Sequence, residues 1–304
     1  MPHPVWVREL RAPFLLLPVI FVPVGLAIAW SQGHFNPLYA VLTIAGVVSL
    51  HASVNVLNDY FDFKSGIDLA TTPTPFSGGS TILPSKLMSP SSVLGMGVLF
   101  LGVGVTIGGY FIEQFAFSPL LIAIVAIAAL SVVSYSSVTS KVGLGELITG
   151  LNFGPLLVLG TYFVQTGTIA VEPILVGLPL GIFTAGILYV NEFPDTEADK
   201  SKGRNQLVAR WGKATAAGRF KALMISAYAI PVVAVLVGAV SPAALLVLVT
   251  IPKARTTVKL LSQNYDKTME LIPGMASMVM TTLFSGVALL AGYVILGLVL
   301  KFVL

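Results

Sequence analysis

The sequence predicts an all-α membrane protein: nine transmembrane helices around a central cavity, with an aspartate-rich motif repeated at the ends of two of them. Three observations lead there. The chain has 304 residues, 56% hydrophobic and only 10% charged, with a mean hydropathy of +0.92, whereas soluble domains carry about 25% charged residues. Apolar runs of roughly 17 to 25 residues, enough to cross a bilayer, recur along the whole chain. Finally, only 13 residues are acidic, and two clusters of them close two of these runs.

In order, the runs are Pro13–Trp30, Leu38–Leu57, Val93–Phe111, Phe117–Val133, Leu147–Val164, Ile174–Val190, Leu223–Val240, Ala243–Leu261 and Met275–Leu300. The eighth is the weakest, because its clean apolar part stops at Ile251 and Lys253, Arg255 and Lys259 follow. The first is long enough to span and lacks the short apolar core and small-residue cleavage site of a removable leader. With the N-terminus in the cytoplasm, 16 of the 17 basic residues fall on inner segments and only Lys301 lies outside. That asymmetry is what the positive-inside rule demands. The chain therefore reads as a multi-pass cell-membrane protein with its N-terminus and long loops (about 63–90 and 194–220) cytoplasmic and its C-terminus outside. The net charge of +4 follows from topology and does not indicate a nucleic-acid partner. With no cysteine, disulfide and thiol chemistry are excluded. A single membrane domain over 1–304, with motif loops 55–90 and 191–220, accounts for the whole.

The first acidic cluster is Asn55-Val56-Leu57-Asn58-Asp59-Tyr60-Phe61-Asp62, followed by Gly66 and Asp68. On a helix, Asn55, Asn58, Asp59 and Asp62 recur at three- and four-residue steps and share a face. Three carboxylates at a helix C-terminus repel one another and oppose the negative end of the helix dipole. A bound cation removes both objections. The second cluster repeats the device: Asn191, Asp195 and Asp199 stand at four-residue steps, with Pro194 expected to kink the helix among them. Both clusters fall at cytoplasmic ends of spans running the same way, so one shared site is expected, with a parallel repeat as its frame.

Oxygen ligands without a histidine or cysteine cluster suit Mg²⁺, which keeps several waters and is held by a few carboxylates plus phosphate oxygens. Asp59, Asp62, Asp68, Asp195 and Asp199 are the candidate metal ligands. Between them a diphosphate is expected, bound by Asn58 and Asn191 and clamped by Arg11, Lys141, Lys200 and Arg204, with Lys202 nearby. Pro75-Phe76-Ser77-Gly78-Gly79-Ser80 is a second, weaker anion-binding candidate, since paired glycines let backbone N–H groups approach phosphate; taken alone, such a stretch is as readily a flexible loop. Beside an apolar membrane cavity the diphosphate points to an isoprenyl diphosphate. Its allylic cation needs a dry, π-rich wall, for which Tyr135, Tyr60, Phe153 and Tyr162 are candidates. Each aromatic taken singly also fits plain packing, and His51 reads as a hydrogen-bonded packing histidine. The competing class is a cation-coupled transporter, which expects acids near mid-span rather than at helix ends.

At these residues the chain resembles the UbiA superfamily of intramembrane prenyltransferases, and within it the menaquinone-type branch. The resemblance rests on Asn55-x-x-Asn58-Asp59-x-x-Asp62 with Asp68 beyond it and on Pro75 to Ser80. It continues through Gly143-Leu144-Gly145-Glu146, Phe153-Gly154-Pro155, Gly160-Thr161-Tyr162, Val164-Gln165-Thr166-Gly167 and Gly203 to Gly212. It implies nine helices, Mg²⁺, an isoprenyl diphosphate donor and an aromatic acceptor of the dihydroxynaphthoate or benzoate kind, with a glyceryl phosphate as the alternative acceptor. Asp68 and Tyr135 are the candidate catalytic residues, Asp68 as the base that takes the aromatic proton. Glu192 departs from the family pattern, which often has asparagine there.

Overall fold

The computed structural model describes residues 4–71 and 73–303. Every regular element among them is helical. A short helix α1 (Val5–Glu9) and a 3₁₀ turn (Ala12–Leu15) lead into α2 (Leu16–Ser31). Then come α3 (Pro37–Ser65), α4 (Pro90–Gln114) and α5 (Pro119–Ser134). A π turn (Tyr135–Thr139) and α6 (Ser140–Val142) connect to α7 (Gly145–Leu151), which passes through a second π turn (Asn152–Leu156) into α8 (Leu157–Thr166). The remainder is α9 (Val171–Ser201), α10 (Leu207–Trp211), α11 (Lys213–Leu236), a 3₁₀ stretch (Pro242–Thr250), α12 (Ile251–Asn264) and α13 (Thr268–Val303).

The sequence explains where the long helices begin. Asn36 accepts the N–H of Tyr39 at 3.1 Å and Ser89 that of Ser92 at 3.1 Å, with Pro37 and Pro90 placed where no N–H is needed. Among the described residues, seven helical segments are long and apolar enough to cross a membrane. The expected fourth span is the apolar but shorter α5. The expected eighth is split, its apolar part wound as 3₁₀ before Pro252 and the basic residues of α12. α11 starts well before the apolar run at Leu223 because Ala216, Ala217 and Phe220 already bury one face of its polar first turns. α9 runs unbroken through Pro179 and Pro194.

α9 is the centre of the bundle: 67% of its most apolar stretch is buried, against 17% for α4, which turns most of its surface outward. Between helices in lipid, close packing rather than hydrophobicity supplies the attraction. Small residues provide it here, since a Cβ on Gly154 would lie 2.6 Å from the carbonyl oxygen of Gly177. Backbones of α9 and the second π turn therefore touch. Phe183 and Phe193 on α9, with Phe220, Met278 and Tyr293 around them, fill the interior.

Candidate active site

Asn58, Asp59 and Asp62 lie on the last two turns of α3. The helix stops because Gly66 adopts φ +75°, so that Gly66 N–H bonds to Phe63 O at 3.0 Å and Ile67 N–H to Asp62 O at 3.1 Å. This cap turns the chain and returns Asp68 toward the helix end it has just left. On α9 the four-residue steps place Asn191, Asp195 and Asp199 along one face. The two helix ends meet across a polar pocket of about 100 Å³ lined by Arg11, Asn58, Asp62, Asp68, Tyr135, Asn191, Asp195, Asp199 and Arg204, among others.

Three sets of contacts hold it together. Arg204 pairs with Asp62 of α3 and, at 3.6 Å, with Asp199 of α9, and Asn58 donates to the other oxygen of Asp62 at 3.0 Å. The loop Pro75–Ser80 straps the two motifs: Ser77 Oγ donates to Asp195 at 3.5 Å, the backbone N–H of Ser80 to Asp59 at 3.0 Å, and Asn191 Nδ2 to the carbonyl of Phe76 at 3.0 Å. Gly79 in that loop has φ +75°, and a Cβ there would sit 3.1 Å from Asp68 Oδ1. The third set is carboxylic. Glu146 accepts the N–H of Leu207 at 3.0 Å and the adjacent Glu192 that of Val208 at 3.2 Å, which anchors the segment that carries Arg204.

Burial and crowding shape the charges outside the spans. Burial first, then Asp62 and Asp59, push Asp68 up to about 8. Burial and Asp59 push Glu9 up to about 7, although it receives a hydrogen bond from Ser80 Oγ at 2.9 Å. Burial alone would lower Arg204, but Asp62 and Asp199 outweigh it and hold the guanidinium above its ordinary value. Arg11 reaches the pocket from a left-handed backbone conformation, φ +52°, which an L-residue adopts only at a cost that surrounding contacts must cover.

Of the residues expected at the site, Lys141 and Lys200 are not brought to the pocket. Lys141 is exposed on α6, and Lys200, one position past Asp199 and so on another face, pairs with Glu197 at 3.7 Å. Lys202 lies over Gly66, with Nζ 3.5 Å from where a Cβ there would be. Asp59 is 2% exposed, with one oxygen held by the Ser80 N–H and the other unpaired. Sequence reasoning missed Glu9, a fully buried acid amid a basic N-terminal segment, and the strapping role of Ser77 and Ser80. The only sequence signal for the strap was the Gly78-Gly79 pair. His51 also differs from expectation: its Nδ1 is buried without a hydrogen-bond partner.

The donor set fits a hard divalent cation. Carboxylate and amide oxygens converge, and Asp59 Oδ1 and Asn191 Oδ1 are buried with no hydrogen bond. Among the described residues no three acids close a cage by themselves, as suits a cation that completes its shell with water and phosphate oxygens. The polar pocket opens into a larger cavity of about 330 Å³, and Arg11, Asn58, Tyr135, Leu188 and Asn191 line both. Gly46, Leu50, Ile107, Val125, Ala128 and Leu157 are among the residues that make the rest of that cavity apolar.

A helical membrane protein whose acidic helix ends face one pocket at the mouth of a greasy cavity is built for a substrate with an anionic head and an apolar body. Residues 15–272 match the UbiA prenyltransferase family, and the chain belongs to that family. It is 29% identical over 282 residues to a 1,4-dihydroxy-2-naphthoate octaprenyltransferase of Bacillus subtilis, covering 90% of this chain and 88% of the relative. The fold is similar to that of a UbiA homologue from Aeropyrum pernix solved without ligand (TM-score 0.67, 16% identity, 90% of this chain and 97% of the other). It also resembles a UbiA homologue from Archaeoglobus fulgidus bound to GPP and Mg²⁺ (TM-score 0.54, 15% identity, 95% and 100%).

Proposed function

We propose that this protein transfers an isoprenyl group, within the membrane, from an isoprenyl diphosphate to an aromatic acceptor of the dihydroxynaphthoate kind, in quinone biosynthesis. The observation that carries the reading is the continuity of the acid-lined pocket with the apolar cavity through Arg11, Asn58, Tyr135 and Asn191. The relative that acts on a dihydroxynaphthoate, and the homologue that binds GPP with Mg²⁺, support it.

Asp59, Asp62, Asp68, Asp195 and Asp199 would hold Mg²⁺. Bound there, the metal would neutralise the leaving diphosphate as the allylic C–O bond breaks. Asn58, Asn191, Arg11 and Arg204 orient the diphosphate, with Arg204 giving bidentate contacts that a lysine cannot. The tail lies in the apolar cavity, where water is excluded and the cation survives long enough to meet the acceptor. Tyr135 and Phe153 supply π faces to that cation. A new C–C bond forms at the ring, and Asp68 at the pocket edge takes the ring proton.

The same reading makes the chain one membrane domain of nine crossings, with α5 as the fourth, Pro242–Asn264 as the eighth, and the pocket on the cytoplasmic side. The deciding assay offers purified protein, Mg²⁺ and radiolabelled geranylgeranyl diphosphate a dihydroxynaphthoate, a hydroxybenzoate and a glyceryl phosphate in turn. Mg²⁺-dependent product with an aromatic acceptor is expected. Product with the glyceryl phosphate alone would replace the acceptor class, and no product with any of the three would sink the reading.

A further inference from the structure

The wall of the large cavity is apolar except at a few points, and three of its polar atoms are buried without a hydrogen-bond partner: Asn191 Oδ1, Thr161 Oγ1 and His51 Nδ1. Asn191 stands at the mouth, among the groups that meet the diphosphate. Thr161 is wedged where α8 packs on α2, with its Cβ 2.8 Å from where a Cβ of Gly25 would sit. His51 is different. It is 7% exposed and projects from α3 on the face that carries Asn55, Asn58 and Asp62. Seven residues separate it from Asn58, about 10 Å along the helix, so it lies below the polar pocket and inside the apolar chamber. Its ring meets that of Phe153 edge-on, centroids 4.6 Å apart at 70°.

An imidazole nitrogen left unpaired in such a wall is costly unless something in the cavity pairs with it. The diphosphate cannot, because its partners lie at the mouth. The isoprenoid tail cannot, because it carries no donor or acceptor. Of the reactants, only a hydroxylated aromatic offers a hydrogen bond at that depth, and Phe153 beside the imidazole offers it a ring to pack on.

We propose that His51 and Phe153 form the acceptor-recognition subsite, in which the imidazole of His51 pairs with a ring hydroxyl of the aromatic acceptor. The assignment rests on the function proposed above. It makes His51 a specificity determinant, distinct from the groups that bind diphosphate and metal. A site that hydrogen-bonds a hydroxyl discriminates against an analogue lacking it far more strongly than an apolar pocket discriminates by size.

The test compares wild type, His51→Phe and His51→Gln in lipid nanodiscs with Mg²⁺ and geranylgeranyl diphosphate. The acceptors are 1,4-dihydroxy-2-naphthoate and its two monohydroxy analogues, each lacking one hydroxyl. In His51→Phe the KM for the dihydroxy acceptor should rise at least ten-fold, that for the prenyl diphosphate should stay within two-fold, and His51→Gln should recover part of the loss. With one of the analogues, wild type and His51→Phe should be equal, since the hydroxyl that His51 reads is gone. Equilibrium dialysis of labelled acceptor gives the same comparison without turnover, should a variant be inactive. An unchanged acceptor affinity in His51→Phe, or an equal penalty for both analogues, overturns the assignment while leaving the functional reading intact. A wild type that prenylates none of the aromatics overturns both.

Discussion

Asp62 at the end of α3 and Asp199 at the end of α9, residues 137 positions apart in the chain, share one guanidinium, that of Arg204. All three side chains are largely buried, at 10%, 5% and 13% exposure. Removing one partner from a buried ion pair leaves uncompensated charge and costs about 3–5 kcal/mol, on the order of 100-fold or more in a rate if it falls on the transition state. Arg204→Ala is therefore expected to lower kcat/KM for the prenyl diphosphate by at least that factor. Arg204→Lys keeps the charge but loses the planar fork and should recover little. Steady-state kinetics with varied diphosphate checks this, and near-normal kcat/KM in Arg204→Lys would show that the fork is not needed.

Much of the arrangement was legible in the chain, and the boundary of what was legible has a physical cause. Three- and four-residue spacing fixed which side chains of α3 and α9 share a face, because helical geometry is local. The spacing also put Lys200 on a face other than that of Asp199, yet charge alone made it look like a ligand. What joins the two helices was not readable: the strap reaches 21 positions from Ser80 to Asp59 and 118 from Ser77 to Asp195, with Glu9 holding Ser80 from 71 positions away, and no periodicity marks such contacts. The partial 3₁₀ winding before α12 was equally hidden, since hydropathy measures polarity and not hydrogen-bond register.

Gly79 combines a left-handed φ with a carboxylate oxygen at 3.1 Å from the place of its missing Cβ. Alanine there meets a backbone cost of about 1–2 kcal/mol and pushes Asp68 away. Gly79→Ala should cut kcat sharply, while Gly95→Ala on α4, with nothing within 4 Å of the added Cβ, should leave turnover unchanged. Equal activity of the two variants would mean that the strap does not set Asp68.

Glu146 and Glu192 each spend one oxygen on a backbone N–H and leave the other, Glu146 Oε2 and Glu192 Oε1, buried without a donor. A glutamine at 192 can keep its carbonyl on Val208 and offer its NH₂ to Glu146. Glu192→Gln should therefore match or exceed the wild type in thermal stability and stay active. Glu192→Leu strands the Val208 N–H, costs about 1–3 kcal/mol and loosens the Arg204 segment. Melting curves in detergent separate the two, and a Glu192→Gln protein less stable than Glu192→Leu would contradict the pairing.

Topology is open to a clean experiment because the chain has no cysteine. Single cysteines at Lys301 and Lys141 are expected on opposite sides of the membrane, position 141 on the side of the active-site loops. An impermeant maleimide applied to intact cells should label only the first, and labelling of both from outside would refute the nine-crossing arrangement.

The apolar cavity makes the last expectation quantitative in kind. Ala128 and Val125 of α5 line it together with Leu50 and Ile107, whereas Asp62, Asp195 and Arg204 do not, so a phenyl ring at 128 would fill space proposed for the tail without touching those three side chains. The packed walls around the cavity cannot yield elastically to such a ring, so its volume comes out of the open space. Ala128→Phe should accordingly retain turnover with geranyl diphosphate but lose it progressively as the donor lengthens, so that the ratio of kcat/KM for geranylgeranyl to geranyl diphosphate falls at least ten-fold. The diphosphate end is the same in both donors, so a falling ratio reports the tail alone. A ratio equal to that of the wild type would place the isoprenoid chain outside this cavity.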